Sequence, residues 1–391
     1  MIQVTFQADP ERPPNIKIIT GYQMFKRITG SSLLILCSLF TPLSSSSASE
    51  QLTPDRLSTS ALTREGAEKS LLLSVANTGK RLVAAGEQGV IVYSDDQGKK
   101  WQQASVPAST LLTSIKFTDT QNGWAIGHDG LVLKTIDSGS SWKPVLTGND
   151  INQLRISALE NLLDSMTTEN FTPDQIEDTE YALDDAVIAQ EEGPTSPLLD
   201  MLFLDSSHGF MIGAYGTMLE TRDAGQRWQF IGNKLPNPEG FHLNRIYQLK
   251  SGRLLILGEA GLLLASDDNG ESWLNLDSPY DGSFFSAAES DALYIMGLRG
   301  NTFRFDDQNQ NWQRVELPVA ATINDAIVVE DQIIMVGQGG TLLRQKGTEF
   351  EPLGKRQLRT FTSLTQVTDS LVITGETGIV HLSLSGKEAA Q

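Results

Sequence analysis

Cysteine is nearly absent from this chain: Cys37 is the one cysteine in 391 residues. It falls inside an apolar run near the start, so the sequence beyond that run offers no disulfide, thiolate metal site or cysteine nucleophile. Long hydrophobic runs are also missing, and the run at residues 33–40 is too short and too close to serines for a membrane span. Cations are in the minority, 30 Lys and Arg against 48 Asp and Glu, for a formal net charge of -18. That balance excludes the basic surface a nucleic-acid partner needs. The four histidines, His128, His208, His242 and His381, show no His-x-x-x-His spacing, and no motif for a metal or an organic cofactor accompanies them.

What the chain has is glycine at a fixed rhythm. Seven times a hydrophobic run ends in Gly-x-x-Gly and another begins, at Gly86, Gly127, Gly213, Gly258, Gly297, Gly337 and Gly375. The second copy shows the unit: Ser114-Ile115-Lys116-Phe117, Gly123-Trp124-Ala125-Ile126, Gly130-Leu131-Val132-Leu133 and Trp142-Lys143-Pro144-Val145. Four short runs rich in β-branched and aromatic residues at a period of roughly 40 residues describe a four-stranded propeller blade. Helical repeats of similar period would need longer windows at helical spacing. The expected fold is therefore all-β, a seven-bladed propeller. The last repeat stops short of a fourth strand, and residues 52–68 are expected to donate it, which would remove an exposed edge.

A second motif follows five of the glycine pairs. It reads Ser/Thr-x-Asp-x-Gly-x-x-Trp, with Asp96 and Trp101, Asp137 and Trp142, Asp223 and Trp228, and Asp268 and Trp273 in full copies, and a degraded fifth from Asp307 to Trp312. This is the Asp-box. The carboxylate accepts from turn amides, glycine permits a positive φ, and the tryptophan packs back while its N–H finds a carbonyl. Although the motif is familiar from glycosidases, it belongs to the turn between third and fourth strands, far from a central channel. Its residues are read as structural.

Residues 1–49 are expected to be an N-terminal extension and secretory signal. Met24-Phe25-Lys26-Arg27, the apolar run and Ser44-Ser45-Ser46-Ser47-Ala48-Ser49 form basic, apolar and small-residue zones in that order. A retained anchor is the alternative, and translation from Met24 would make the preceding residues a start-site artefact. The propeller then occupies residues 50–391, interrupted at about 150–197 by an acidic insertion between blades two and three. Ile156, Leu159, Leu162 and Leu163 have helical spacing, Pro173 opens a second helical stretch through Ala189, and Arg155 is the lone cation. A solvated helical hairpin fits this pattern; docking of a basic partner or loose calcium binding are the other readings.

A channel enzyme is the competing class. A sialidase needs an arginine triad, a Tyr-Glu nucleophile pair and an acid-base Asp; Arg245-Ile246 comes nearest the arginine motif, without the following proline. Two-carboxylate glycoside hydrolysis stays open, because its geometry is invisible in sequence. No catalytic residue is assigned. The topology instead offers a face, since the turn between strands two and three shares one side of a propeller with the inter-blade linkers. Its tips, Glu87, Gln88, His128, Asp129, Tyr215, Glu259, Arg299, Gln338 and Glu376, vary where the framework is fixed and are the candidate partner-binding residues.

Gly-Trp-Ala-Ile-Gly-His-Asp-Gly at residues 123–130, the following strand and the Asp137 to Trp142 box resemble the photosystem II stability and assembly factor family. The resemblance spans about residues 70–385 outside the insertion. It implies a non-enzymatic propeller exported to the lumen or periplasm that assists assembly of a membrane complex. The chain departs from that pattern by lacking an evident arginine-rich patch and by carrying the insertion. Relatives of this type in non-photosynthetic bacteria imply an accessory role for an envelope complex such as a transporter. The expectation is a monomeric, periplasmic scaffold that binds a protein partner; the alternative is a glycoside hydrolase acting in the channel.

Overall fold

In the second strand of each repeat nearly every side chain is apolar, and strands such as Leu82–Gly86, Gly123–Gly127, Gly209–Gly213 and Leu254–Gly258 are buried along their whole length. A continuous apolar run of this kind requires cover on both sides. The computed structural model describes residues 55–167, 170–194, 196–355 and 357–384. Among these, seven antiparallel sheets supply that cover for one another. Sheet two is representative, with Leu112–Phe117 innermost, then Gly123–Gly127, Val132–Thr135 and Lys143–Leu146 at the outer edge. The inner strands Leu72–Asn77, Leu112–Phe117, Leu198–Phe203, Leu243–Gln248, Phe284–Glu289, Ile323–Val329 and Phe361–Val367 touch in that order, and the last returns to the first. The fold is a β-propeller.

The ring is held at its centre by a repeated irregularity. In every inner strand the register slips between the first residue and the third, as between Leu72 and Ser74 or Leu112 and Ser114. A slip of one residue re-aims the side chain between them. Where that residue is Thr or Asn it donates to the first carbonyl of the next inner strand: Thr113 Oγ1 to Leu198 O (2.7 Å), Asn244 Nδ2 to Phe284 O (3.0 Å), Asn324 Nδ2 to Phe361 O (2.6 Å) and Thr362 Oγ1 to Leu72 O (2.6 Å). The last of these bonds joins sheet seven to sheet one.

Closure differs from the sequence expectation. Among the described residues sheet seven has three strands, and residues 55–68 contribute to the seam one bond, Ile379 N to Glu68 O (3.0 Å). Residues 55–65 instead run along the outer edge of sheet one. Ala61 N donates to Val106 O (3.0 Å), Ser109 N to Arg56 O (2.8 Å) and Arg64 N to Gln103 Oε1 (3.0 Å). The cause is apolar: Leu57 and Ala61 pack on the cluster that holds Ala104, Val106 and Trp142, so the segment is drawn away from sheet seven. Residues 52–54, the signal segment, Cys37 and both start-site candidates lie outside the described residues.

The insertion is a helical hairpin, α1 (Gly148–Ser165) and α2 (Pro173–Glu192). α1 starts well before Ile156 because the Asp150 carboxylate accepts from Thr147 N (2.8 Å), and α2 begins on Pro173 with Thr172 and Gln175 bonded reciprocally. Ile156, Leu159 and Ala186 form its small core. No helix among the described residues is long and apolar enough to cross a membrane.

The aspartate turns repeat almost atom for atom. Asp137 Oδ1 accepts from Ser141 N (2.9 Å) and Thr135 Oγ1 (2.8 Å), and Gly139 N donates to Thr135 Oγ1 (3.0 Å). Equivalent bonds surround Asp96, Asp223 and Asp268. In two of the four copies the indole bonds as expected, Trp101 Nε1 to Gly98 O (2.9 Å) and Trp142 Nε1 to Gly139 O (3.1 Å). Trp228 and Trp273 bury the same atom without a partner among the described residues, so their packing rather than a hydrogen bond holds them. In the degraded fifth copy Asp306, not Asp307, accepts the turn amides of Gln308 and Asn309.

Candidate partner-binding face

The glycine turns are closed by a backbone bond, joined in two copies by a side-chain donor to the same carbonyl, Asn301 Nδ2 to Leu298 O (2.8 Å) and Thr341 Oγ1 to Gln338 O (2.8 Å). Glu87 O accepts from Val90 N (2.9 Å), and Gln88 and Gly89 between them have φ of 52° and 70°. Two successive positive φ values are the signature of the tight hairpin turn that matches strand twist. Gly89 is required there, because a Cβ would lie 2.0 Å from Ala108 O. The residue before it is not constrained to glycine, and Gln88, Asp129, Tyr215, Ala260 and Arg299 all hold the left-handed conformation. Such residues cost on the order of 1 kcal/mol or more relative to glycine, so the turn itself gains nothing from their side chains. The first glycine pairs with the first residue of each inner strand, Leu72 with Gly86 and Leu112 with Gly127. Turns, linkers and the near end of the channel therefore share one side.

The predicted tips separate into two kinds. Asp129 is buried: its carboxylate accepts from Thr110 Oγ1 (2.8 Å) and Arg56 Nη2 (3.0 Å), which anchors the N-terminal segment and keeps Asp129 off the surface. Three glutamates cap backbone. Glu87 accepts from Leu71 N (3.3 Å), Glu259 from His242 N (3.3 Å) and Glu376 from Thr360 N (2.6 Å), in each case the amide just ahead of an inner strand. His128 is half-buried. Gln88, Tyr215, Arg299 and Gln338 present exposed side chains, and Tyr215 is 63% exposed despite its size.

Tyr215 is the centre of the richest cluster on this side. Its ring meets His242 edge-on at 4.9 Å, its N–H donates to His242 Nδ1 (3.2 Å), and Glu259 Oε2 stands 3.5 Å from the same nitrogen. Tyr215 also lines a narrow cleft shared with Ile151, Asn152, Arg155 and Pro194 of the insertion. Burial pushes the Arg155 guanidinium below its ordinary pKa, while Asp185 works against that shift. The hairpin thus lies on the glycine-turn side, with Gly148 against Gly130. α2 turns Tyr181, Val187 and Ile188 to solvent among its carboxylates.

Sequence reasoning singled out Arg245 in a candidate channel but missed the two carboxylates it meets there. The near end of the channel is a cavity of about 250 Å³ lined by all seven inner strands. Arg245 bridges two carboxylates there, with Nε 3.5 Å from Asp200 Oδ2 and Nη2 3.1 Å from Asp325 Oδ1. Asp200 also accepts from Ser114 Oγ (3.2 Å) and Ile246 N (3.2 Å), and Asp325 from Ser363 Oγ (2.8 Å) and Ala326 N (2.9 Å). Burial works to lower the Arg245 pKa, but the two carboxylates outweigh it and hold it above the ordinary value. The one signal in sequence was a polar residue at the third place of every inner strand. Among the described residues no group of three or more His, Cys, Asp or Glu is placed to hold a metal ion.

Comparison with known proteins gives a consistent relationship. The family model for Photosynthesis system II assembly factor YCF48 matches residues 50–136, 94–161 and 188–326, leaving out the middle of the hairpin. The Photosystem II assembly lipoprotein Ycf48 of Synechococcus sp. (strain CC9902) is 39% identical over 79 residues, 20% of this chain and 23% of that relative. Photosystem II stability/assembly factor HCF136 of Arabidopsis thaliana is 33% identical over 106 residues, 25% of this chain and 26% of its own length. These matched stretches therefore span about a quarter of the curated relatives. Among solved structures, YCF48 bound to D1 peptide superposes with a TM-score of 0.57 at 15% identity, covering 80% of this chain and 93% of that one. The WD40 propeller domain of Doa1 gives 0.53 at 8% identity, covering 83% and 95%. Likeness at such identities shows the fold alone.

Proposed function

Because this chain belongs to the Photosynthesis system II assembly factor YCF48 family, we propose that it is an exported, non-catalytic propeller that binds a protein partner through its glycine-turn side and assists assembly of a membrane complex. The relative solved with a D1 peptide supports peptide or protein as the class of ligand. The observation that carries the location is Tyr215, whose large aromatic side chain is 63% exposed and is not needed by the left-handed turn that holds it. Exposed aromatics on rigid turns are the usual anchors of protein recognition. In this reading the hairpin widens the same surface, and the partner is an envelope complex such as a transporter.

The glycosidase alternative fits poorly. Such enzymes place the scissile bond between their two carboxylates. Here Arg245 occupies the space between Asp200 and Asp325, and each carboxylate already accepts from a serine and a backbone amide. One guanidinium also stands where a sialidase needs three. The deciding experiment is affinity capture from solubilised envelope membranes with wild-type protein and with Tyr215→Ala. Recovery of a membrane complex by wild type and its loss in the folded variant supports the reading. Equal recovery, or hydrolysis of aryl glycosides that Asp325→Asn abolishes, contradicts it.

A further inference from the structure

The narrow cleft between the hairpin and sheet three is lined by a cation that has no counter-charge in contact. Arg155 is the one cation of the hairpin and has carboxylates on both sides of it in sequence, yet its guanidinium makes no ion pair or hydrogen bond among the described residues. Asp185 acts on it only from beyond ion-pair distance, and no carboxylate lines the cleft. A half-buried charge left unpaired is costly. Gly148 and Ile151, in the first turn of α1, line the same space, so the positive end of the helix dipole adds to the guanidinium.

A second feature is independent of charge. Thr217 follows the second glycine of its turn, the place where Val90 and Leu131 bury apolar side chains in sheets one and two, and it is 8% exposed. Where this place is polar in other turns the side chain closes on its own turn, as Thr341 Oγ1 does on Gln338 O. The Thr217 hydroxyl makes neither that bond nor any other among the described residues, and Thr217 lines the cleft. The hydroxyl of Ser196, on the same lining, is also unpartnered. Unused donors beside an unpaired cation call for an anion. The cavity is about 20 Å³, room for one small head group and no more. A carboxylate is flat and meets a guanidinium fork in two parallel bonds. We propose that the cleft receives one carboxylate of the polypeptide partner, which pairs with Arg155 and accepts from the Thr217 hydroxyl while its stem lies against Tyr215. This rests on the reading that the glycine-turn side carries the partner, and adds what that partner presents.

The test uses the isolated full-length protein with labelled threonine methyls and arginine side chains. Propionate should give saturable shifts of the Thr217 methyl and the Arg155 Nε–H, and propionamide should give none. A capped Gly-Asp-Gly peptide, which offers a side-chain carboxylate, or an acetylated Gly-Gly-Gly with a free chain end should bind at least as tightly as propionate, and the tighter of the two identifies the source. Arg155→Gln should weaken every carboxylate about tenfold or more, and Thr217→Val, which keeps the shape and removes the hydroxyl, about threefold or more. If the first variant fails to fold, the second carries the test, since Val90 shows that valine fits this place. Absence of saturable shifts, equal response to propionamide, or affinity unchanged in the folded variants overturns the site. Tighter binding of inorganic phosphate than of propionate overturns the carboxylate, and binding of propionate but of neither peptide overturns a polypeptide source. Failure of these titrations leaves the capture experiment on Tyr215 standing, and failure of capture leaves the titrations standing.

Discussion

The aspartate turns and the glycine turns stand at opposite ends of the same strands, and both contain left-handed residues, but they use side chains differently. In the aspartate turns the hydroxyl, carboxylate and indole all fold back into the turn, as Thr135, Asp137 and Trp142 do. That is why the motif recurs with little change. In the glycine turns one backbone bond and the left-handed pair make the bend, so Gln88, Tyr215 and Arg299 are free to differ. Where a turn is held by its backbone, side-chain identity becomes available for recognition. Where it is held by its side chains, identity is fixed by folding.

The sharpest way to break this contrast is at the glycine framework. Gly89→Ala should cost roughly 2 to 5 kcal/mol, because the added carbon meets Ala108 O on top of an unfavourable φ. Denaturant unfolding measures it, and a cost near zero would show that the backbone does not hold that turn. Asp137→Ala should cost less, about 1 kcal/mol, since water reaches the amides it leaves unpaired. Partner capture should survive it.

The same carboxylates set an acid limit. Hydrogen bonds from Ser272 hold Asp268 down to about 2, and at Asp137 burial pushes upward but the bonds from Ser141 and Thr135 outweigh it. A depressed folded pKa gives stability present above the unfolded carboxylate value and lost as pH falls toward the folded one. Unfolding free energy should therefore decline between about pH 4 and 2, and less steeply in Asp137→Ala. The smallest effect compares two copies of one motif. Trp142→Phe should cost about 0.5 to 1 kcal/mol more than Trp273→Phe, because only the Trp142 indole donates a hydrogen bond.

Much of this architecture is legible in sequence because its signals are local. Glycine and aspartate at fixed offsets report turns whose chemistry is complete within a few residues, and Pro173 and the leucines from 159 onward announce the hairpin. What was hidden depends on distance along the chain. Arg245 meets Asp325 across 80 positions and Arg56 meets Asp129 across 73, and nothing in either neighbourhood signals its partner. The glutamates at 87, 259 and 376 read as surface because the amides they cap sit in the preceding linker. The docking of Leu57 and Ala61 on sheet one, rather than on sheet seven, followed from apolar surface that exists only after folding.

The central claim is that one end of the ring meets the partner and the other does not. A photo-crosslinking residue placed in turn at Gln88, Tyr215 and Arg299, and in turn at Ile136, Gln226 and Leu274 on the aspartate-turn end, tests it in intact cells. All six side chains are exposed, so reach is equal at the two ends. The account predicts crosslinks to a common protein from the first three positions and none from the second three. Crosslinks from the aspartate-turn end alone, or equally from both, would contradict it.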